Sequence, residues 1–324
     1  MGIKKKLINI YLSNSVDKIN IIKNKYKNNI NKKAKYYVIC SRKKRGFFSL
    51  LLFVLNHIQF AKKNKLIPVI DMKHHATLYN ERKVLFGTQN SWEYYFHKIN
   101  KINIDQVYEG KNYFICKDKN ILTKNNKFNS ILTNTYKKFI KINTGIIKKY
   151  FLYKKKIFKN KEKFLGVHFR GTDMKYSTNH PFPLTKKQIN KQIPYLMKKY
   201  KLKKIFLVTE DSKNFDFFIN NFKNYEVFHT KNYRTSKTRA FDRNYRKNHK
   251  YKMGEEALIN ALLLSNCKVL LSSQTGISDF AKFKNPGLKY IKINNGNNSN
   301  RIFFSIFKYH LKDFLPKFLG GFSV

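Results

Sequence analysis

A short apolar run that ends abruptly in polar residues constrains the fold of this chain more than any other feature. Residues 164–169 read Phe-Leu-Gly-Val-His-Phe, and Arg170, Gly171, Thr172 and Asp173 follow directly. A short apolar run bounded by turn residues is typical of a buried strand. Polar groups at the carboxyl end of such a strand lie where open α/β sheets bind ligands. The segment therefore predicts a parallel sheet with a binding site at one edge.

Similar runs alternate with helical periodicity along the chain, which is typical of parallel α/β folds. The expected strands cover residues 35–40, 66–71, 164–169, 204–209, 225–228 and 268–272. The expected helices cover residues 48–62, 185–200, 214–222 and 253–266, with another from residue 279. Residues 107–116 read as a strand or hairpin arm, and residues 128–158 as a helical bridge.

A chain of 324 residues is long for one hydrophobic core, so two domains are expected. The first would cover residues 35–158 and the second residues 159–300, each with a Rossmann-like alternation. Residues 1–34, rich in Lys and Asn, are expected to form a loosely ordered or helical lead. Residues 301–324 are expected to form an aromatic-rich helical tail.

The formal net charge of +50 is extreme and is typical of proteins that bind nucleic acid or an anionic membrane surface. However, 59 of the 68 basic residues are lysines spread along the whole chain, and Asn and Ile are abundant too. A nucleic-acid footprint is normally clustered, so compositional bias is the preferred explanation. The charge still favours anionic ligands in any cleft.

The cysteine pattern and the hydropathy pattern bear on where the protein works. Cys40, Cys116 and Cys267 are far apart in sequence, which argues against a zinc site or a disulfide framework and suits a reducing compartment. No targeting segment is visible, and the most apolar stretch, residues 47–60, is too short to span a bilayer. We expect a cytoplasmic protein, with peripheral contact at the inner membrane face as an option.

Three expected strands in the second half end in polar groups that could converge on one ligand. These groups are His168, Arg170, Thr172 and Asp173 at the first strand end, Thr209, Glu210 and Asp211 at the second, and Ser273, Thr275 and Ser278 at the third. The third group leads into a helix, whose free amides favour a phosphate. The guanidinium of Arg170 could neutralise the same phosphate. With no Asp-x-Asp pair in the chain, a metal-independent nucleoside-diphosphate site is the prediction.

Each of these features also has a purely structural explanation. Arg170 could form a surface or interdomain ion pair, and residues 209–211 could simply cap a helix. Residues 273–278 could be an ordinary turn and cap, and His180 a loop residue without a role. Their joint placement at strand ends is what favours the functional interpretation.

The segment Val167–Asp173 resembles the first motif, His-x-Arg-x-x-Asp, of the superfamily of α1,6-, nodulation and protein O-fucosyltransferases. Residues 209–211 are similar to its second motif, an acidic pair after a strand. Residues 257–267, continuing to 273–281, are similar to its third motif. Residues 46–49, 68–71 and 91–96 also resemble bacterial members, so the resemblance covers most of residues 36–285.

The resemblance implies a GT-B-like α/β fold, in which two Rossmann-like domains with parallel sheets face a cleft. It also implies an inverting, metal-independent enzyme that transfers fucose from GDP-fucose, a co-substrate rather than a cofactor, to a glycan hydroxyl. Arg170 would contact the β-phosphate and stabilise the departing GDP. Glu210 and Asp211 would bind the ribose or the guanine. The other expected donor-binding residues are His168, Thr209, Asn260, Thr275, Gly276 and Ser278.

Three positions depart from the family pattern. Gly171 stands where some α1,6 members carry a second arginine, and Asn260 stands where an Asp is common. The acid proposed as the base in the α1,6 enzymes has no counterpart at Thr178, which leaves Asp173 and His180 as candidate bases beside Arg170. Two alternatives stay open: a transferase that uses another GDP-sugar, and a non-enzymatic basic protein that binds nucleic acid or an anionic membrane.

Overall fold

The computed structural model describes residues 35–110, 112–118, 128–159, 162–236, 240–241 and 245–323. The expectation for residues 1–34 lies outside these described residues. The chain divides into two units. Unit 1 comprises residues 1–147 and 246–255, and unit 2 comprises residues 148–245 and 256–324.

Unit 1 is built on a three-stranded parallel sheet in the order β2-β1-β3. The strands are β1 (Tyr36–Ile39), β2 (Ile67–Ile70) and β3 (Tyr113–Ile115). Helix α1 (Phe47–Lys63) connects β1 to β2 and is buried along most of its length, because its leucines and phenylalanines cover the sheet. This βαβ unit confirms the parallel arrangement expected from the sequence.

Two expectations for residues 107–158 are corrected by the structure. Residues 104–109 form helix α2 (Ile104–Glu109), so the first three residues of the strand expected over 107–116 are helical. The side chain of Asn103 accepts a hydrogen bond from the N–H of Asp105 and so caps this helix. Residues 128–158 form two helices, α3 (Ile131–Phe139) and α4 (Thr144–Ile157). Between them the backbone pairs with residues 95–97, and this extended pairing interrupts the helix.

Unit 2 is built on a five-stranded parallel sheet in the order β6-β5-β4-β7-β8. Its strands are β4 (Phe164–His168), β5 (Lys204–Val208), β6 (Glu226–His229), β7 (Val269–Ser273) and β8 (Lys289–Ile293). The helices are α5 (Lys186–Lys199), α6 (Ser212–Asn221), α8 (Gly276–Lys284) and α9 (Ile302–Phe314). Helix α7 (His249–Leu264) belongs to unit 2 from residue 256 onward, and its first residues belong to unit 1. Helix α8 begins three residues before the expected start at Asp279, because Thr275 caps it.

The strand order of unit 2 contains a topological switch point. From β4 the chain proceeds outward through β5 to β6, then returns to place β7 and β8 on the other side of β4. The carboxyl ends of β4 and β7 therefore diverge into loops on opposite sides, which opens a crevice between them. Within the described residues, no helix is long and apolar enough to cross a bilayer.

Candidate active site

His168 joins the two strands that border the switch point. It is the last residue of β4, it is 1% exposed, and its Nδ1 lies 2.9 Å from Thr275 Oγ1 and 3.1 Å from Ser278 Oγ. Burial, together with the positive charge of Arg170, lowers the pKa of His168 to about 3. The imidazole is therefore neutral at physiological pH, and it ties the end of β4 to the start of α8.

A chain of hydroxyl groups continues from His168 along the end of β7. Thr275 Oγ1 donates to Ser278 Oγ at 3.0 Å, and Ser278 Oγ donates to Ser272 Oγ at 2.8 Å. Ser272 Oγ donates in turn to the carbonyl of Ser273 at 2.7 Å. Because each hydroxyl has one hydrogen, this direction assigns the imidazole hydrogen of His168 to Nδ1. The buried Nε2 is then an acceptor, and it has no hydrogen-bond partner among the described residues.

The start of α8 offers backbone donors at the same place. The side chain of Thr275 accepts from the N–H of Ser278, which caps the nine-residue helix. Gly276, at the first helical position, is exposed and presents no side chain over the helix terminus. A helix N-terminus of this kind favours a negatively charged group.

Arg170 lies two residues beyond His168 and is held by two carboxylates. Its Nη2 donates to Asp173 Oδ1 at 2.9 Å, and its Nε lies 3.3 Å from Glu210 Oε1. The side chain keeps 26% of its surface exposed. Two acids thus orient the guanidinium while part of the side chain stays exposed, as an anion-binding arginine requires.

The loop that carries Arg170 is clamped by the acids that follow β5. The N–H of Gly171 donates to Glu210 Oε1 and the N–H of Thr172 donates to Asp211 Oδ2, both at 3.0 Å. A Cβ at position 171 would collide with the Asp211 carboxylate, so only glycine fits there. Thr172 has a φ of +39°, a left-handed conformation that is uncommon for a threonine.

Asp211 and Thr209 face inward, toward the protein's own backbone. Asp211 Oδ1 accepts from the N–H of Asn214 and thereby caps α6, while Thr209 Oγ1 accepts from the N–H of Asp211. Asp211 is 4% exposed, with one backbone donor on each carboxylate oxygen. This geometry makes Asp211 a support for the Arg170 loop, and the expected contact with ribose or guanine stays a prediction.

Asp173 and His180, the two candidate bases, both lie near Arg170. The Asp173 side chain is 46% exposed and its Oδ1 also accepts from Thr172 Oγ1 at 3.2 Å. Desolvation lowers the pKa of His180, the charge of Asp173 opposes this shift and the charge of Arg170 adds to it. Because its pKa is lowered, His180 is neutral at pH 7, as a proton acceptor must be.

Asn260 lies apart from these residues. It is buried on α7, and its side-chain oxygen accepts a hydrogen bond from Thr230 Oγ1 at 2.9 Å. Thr230 directly follows β6, which lies two strands from β4. The structure therefore gathers His168, Arg170 and Asp173 with the loops after β5 and β7, and places Asn260 at the edge of the sheet.

Two residues of this site were not expected from the sequence. Asn214 donates from its side-chain amide to the carbonyl of Arg170 at 3.2 Å. Ser272 is the last member of the chain of hydroxyl groups that begins at Thr275. The position of Asn214, three residues after the helix-capping Asp211, is the signal that could have indicated it. Ser272 carries no such signal, because it lies within a strand.

The described residues also allow a test for clustered metal ligands. Within the ranges given above, no group of three or more His, Cys, Asp or Glu side chains is placed to hold a metal ion. This finding concerns the protein's own ligands, and the independence of the reaction from metal stays a prediction.

Comparison with solved structures identifies the fold. The chain is similar to the NodZ α1,6-fucosyltransferase soaked with GDP-fucose, with a TM-score of 0.53 and 16% identity over 78% of this chain and 93% of that one. For NodZ co-crystallised with GDP the TM-score is 0.54 at 15% identity, over 81% and 96% of the two chains. For NodZ from Bradyrhizobium it is 0.54 at 15% identity, over 82% and 99%.

The structural matches confirm the expected GT-B-like α/β fold and the resemblance to fucosyltransferases at the level of the fold. No family model matches the sequence. No curated protein matches it either.

Proposed function

We propose that this chain is a glycosyltransferase that binds the diphosphate of a GDP-sugar at the switch point of unit 2. The observation that carries the proposal is the position of Arg170. Its partly exposed side chain follows β4, and His168 at the end of that strand is hydrogen-bonded to the cap of α8. A fixed cation and a helix N-terminus at the mouth of one crevice are the features that bind a diphosphate without metal.

GDP-fucose is the donor we propose. Solved proteins of the same fold were co-crystallised with GDP or soaked with GDP-fucose, which supports a guanosine diphosphate sugar for this chain as well. The acceptor is then a hydroxyl group of a glycan. The motif resemblance in residues 167–173 and 209–211 supports the same donor.

The reaction we propose is a direct displacement at the anomeric carbon. The acceptor oxygen attacks the anomeric carbon, and the bond between this carbon and the β-phosphate oxygen breaks. The configuration at the carbon inverts. Negative charge grows on the departing GDP, where Arg170 and the first N–H groups of α8 would stabilise it. Asp173 and Glu210 fix the guanidinium before the reaction, so little reorganisation is needed.

The acceptor hydroxyl must lose its proton as the new bond forms. Asp173 and His180 are the candidate acceptors of that proton. Asp173 already accepts hydrogen bonds from Arg170 and Thr172 at Oδ1, so its carboxylate also holds the guanidinium in place. His180 is neutral at pH 7, so it can accept a proton there.

Titration calorimetry with GDP tests the proposed site. Wild type should bind GDP in the presence of EDTA, and Arg170→Ala should weaken binding by about ten- to a hundredfold, the value of one or two charge-assisted hydrogen bonds. Arg170→Lys should restore only part of it, since lysine lacks the planar fork. The exposed Arg301, in the same unit, provides the matched control: Arg301→Ala should bind as wild type does.

Two outcomes would contradict the proposal. Absence of GDP binding by the wild type would exclude the site, and equal losses in the two alanine variants would make binding a matter of overall charge. The second outcome would favour the alternative of a non-enzymatic basic protein, whose affinity for polyanions falls steeply with salt. Mass spectrometry of a glycan acceptor mixed with GDP-fucose or GDP-mannose would then distinguish fucose from another donor sugar.

A further inference from the structure

Helix α9 in unit 2 has apolar residues on the side that faces solvent. Tyr309 is 6% exposed and Ser305 is fully buried, so one side of the helix packs against the protein. The opposite side carries residues that are large, apolar and more than half exposed. We call this set the aromatic face: Phe303, Phe307, Leu311 and Phe314.

The spacing of these residues gives a continuous stripe. Positions 303, 307, 311 and 314 follow one another at intervals of four, four and three residues, which places them on one side of an α-helix. Phe314 is 84% exposed, and Phe318 and Leu319, in the short 3-10 turn that follows, extend the apolar surface beyond the helix end. Contiguous exposed apolar surface of this kind marks a site of interaction.

The charges around the aromatic face restrict what can cover it. Between residues 301 and 319 the basic residues are Arg301, Lys308, Lys312 and Lys317, against the single acid Asp313. The whole chain has a net charge of +50. A second copy of this chain would bring the same positive charge, so self-association through this face is opposed by repulsion.

An anionic membrane meets both requirements, because its surface is negative and its interior is apolar. We propose that α9 lies in the plane of an anionic membrane surface, with its aromatic face at the boundary between headgroups and acyl chains. A helix of 13 residues is only about 20 Å long, which suits this orientation and not a spanning one. The proposal does not depend on the donor or on the reaction.

Cosedimentation with vesicles tests this proposal. Wild type should bind vesicles of phosphatidylglycerol and phosphatidylcholine, and bind vesicles of phosphatidylcholine alone much more weakly. The triple variant Phe303→Ser, Phe307→Ser, Phe314→Ser should lose at least about tenfold in affinity for the anionic vesicles, because three apolar anchors are removed. Phe151→Ser is the matched control, since Phe151 is 56% exposed on α4 in the same unit and should not contribute.

GDP binding by each variant serves as a check of folding, or circular dichroism does if wild type does not bind GDP. Three results would overturn the proposal. The first is failure of wild type to bind anionic vesicles, and the second is undiminished binding by the triple variant, which would attribute binding to lysines alone. The third is a light-scattering measurement in which wild type is an oligomer and the triple variant is a monomer. A second copy of the chain would then cover the aromatic face.

Discussion

His168 is a buried side chain that positions its neighbours at the candidate site while remaining uncharged. Burial and the neighbouring Arg170 hold its pKa near 3, so its imidazole is neutral at pH 7. A neutral imidazole adds no positive charge to an anion site, which leaves Arg170 as the fixed cation at the end of β4. The hydrogen bonds of His168 to Thr275 and Ser278 instead fix the position of the helix that follows β7.

The depressed pKa of His168 predicts a loss of stability in acid. The unfolded chain takes up this proton near pH 6.5, whereas the folded protein takes it up only near pH 3. The stabilisation is therefore complete above pH 6.5 and is lost as the pH falls toward 3, at up to about 1.4 kcal/mol per pH unit. Urea unfolding at pH 7 and pH 5 measures this difference.

The variant His168→Asn isolates that contribution, because asparagine does not titrate and its amide can replace Nδ1. We expect it to be less stable than wild type at pH 7 but to lose less on going to pH 5. His180 and His229 also have lowered pKa values and remain in both proteins, so they cancel in the comparison. An equal loss in both proteins would show that His168 is already protonated or solvated in the folded state.

At the residue scale the sequence indicates which side chains lie at the site but not which way they point. The motif placed Arg170 and Asp211 at strand ends, and both are there. The direction of the Asp211 carboxylate, toward the N–H groups of Thr172 and Asn214, depends on how two loops pack. The left-handed conformation of Thr172 is equally invisible in sequence, because it is imposed by that same packing.

At the scale of elements, apolar periodicity predicted the strands and helices that are long or fully buried. Strand β4 is fully buried, and the patterns of helices α1, α5 and α7 extend over many residues. Helix α2 has six residues, and its last three, 107–109, were assigned to the strand expected over 107–116, because Val and Tyr are common in strands. Its decisive signal is the cap at Asn103, and one capping residue is weak evidence without the backbone around it.

The cap of α8 predicts a difference between two similar substitutions. Thr275→Val removes the hydroxyl that caps α8 and contacts His168, whereas Thr185→Val removes the hydroxyl that caps α5. Each should lower the free energy of unfolding by about 1 kcal/mol through the lost cap. Only Thr275→Val should also weaken GDP binding, by several-fold, because α8 borders the proposed phosphate site.

Chemical denaturation and calorimetry on both variants measure these effects side by side. Thr185 is a demanding control, since its capping box with Gln188 gives it at least as much structural importance as Thr275. Wild-type GDP affinity in both variants would remove α8 from the proposed phosphate site. A parallel loss in both would attribute the effect to stability alone.

For the whole molecule, the sequence predicted two parallel sheets, and the strand order of unit 2 came only from the structure. Hydrophobic runs indicate that strands are parallel when helices lie between them, but they do not say on which side of β4 each later strand is added. The return from β6 to β7 across the sheet creates the switch point. A general rule for open α/β sheets thus predicted that the motifs converge on one crevice. It did not predict that β4 and β7 are the two strands that border this crevice.

The net charge of +50 predicts that salt stabilises the whole protein. Two like charges 10 Å apart repel by about 0.4 kcal/mol in water, and folding brings many lysines to such distances. Sodium chloride screens this repulsion over a Debye length of about 10 Å at 0.1 M, so most of the gain should occur at low concentrations. Unfolding in urea, which leaves the ionic strength unchanged, should show a higher midpoint in salt, with sucrose as the control for exclusion effects. A midpoint that is insensitive to sodium chloride would mean that the 18 acidic residues already neutralise their surroundings locally.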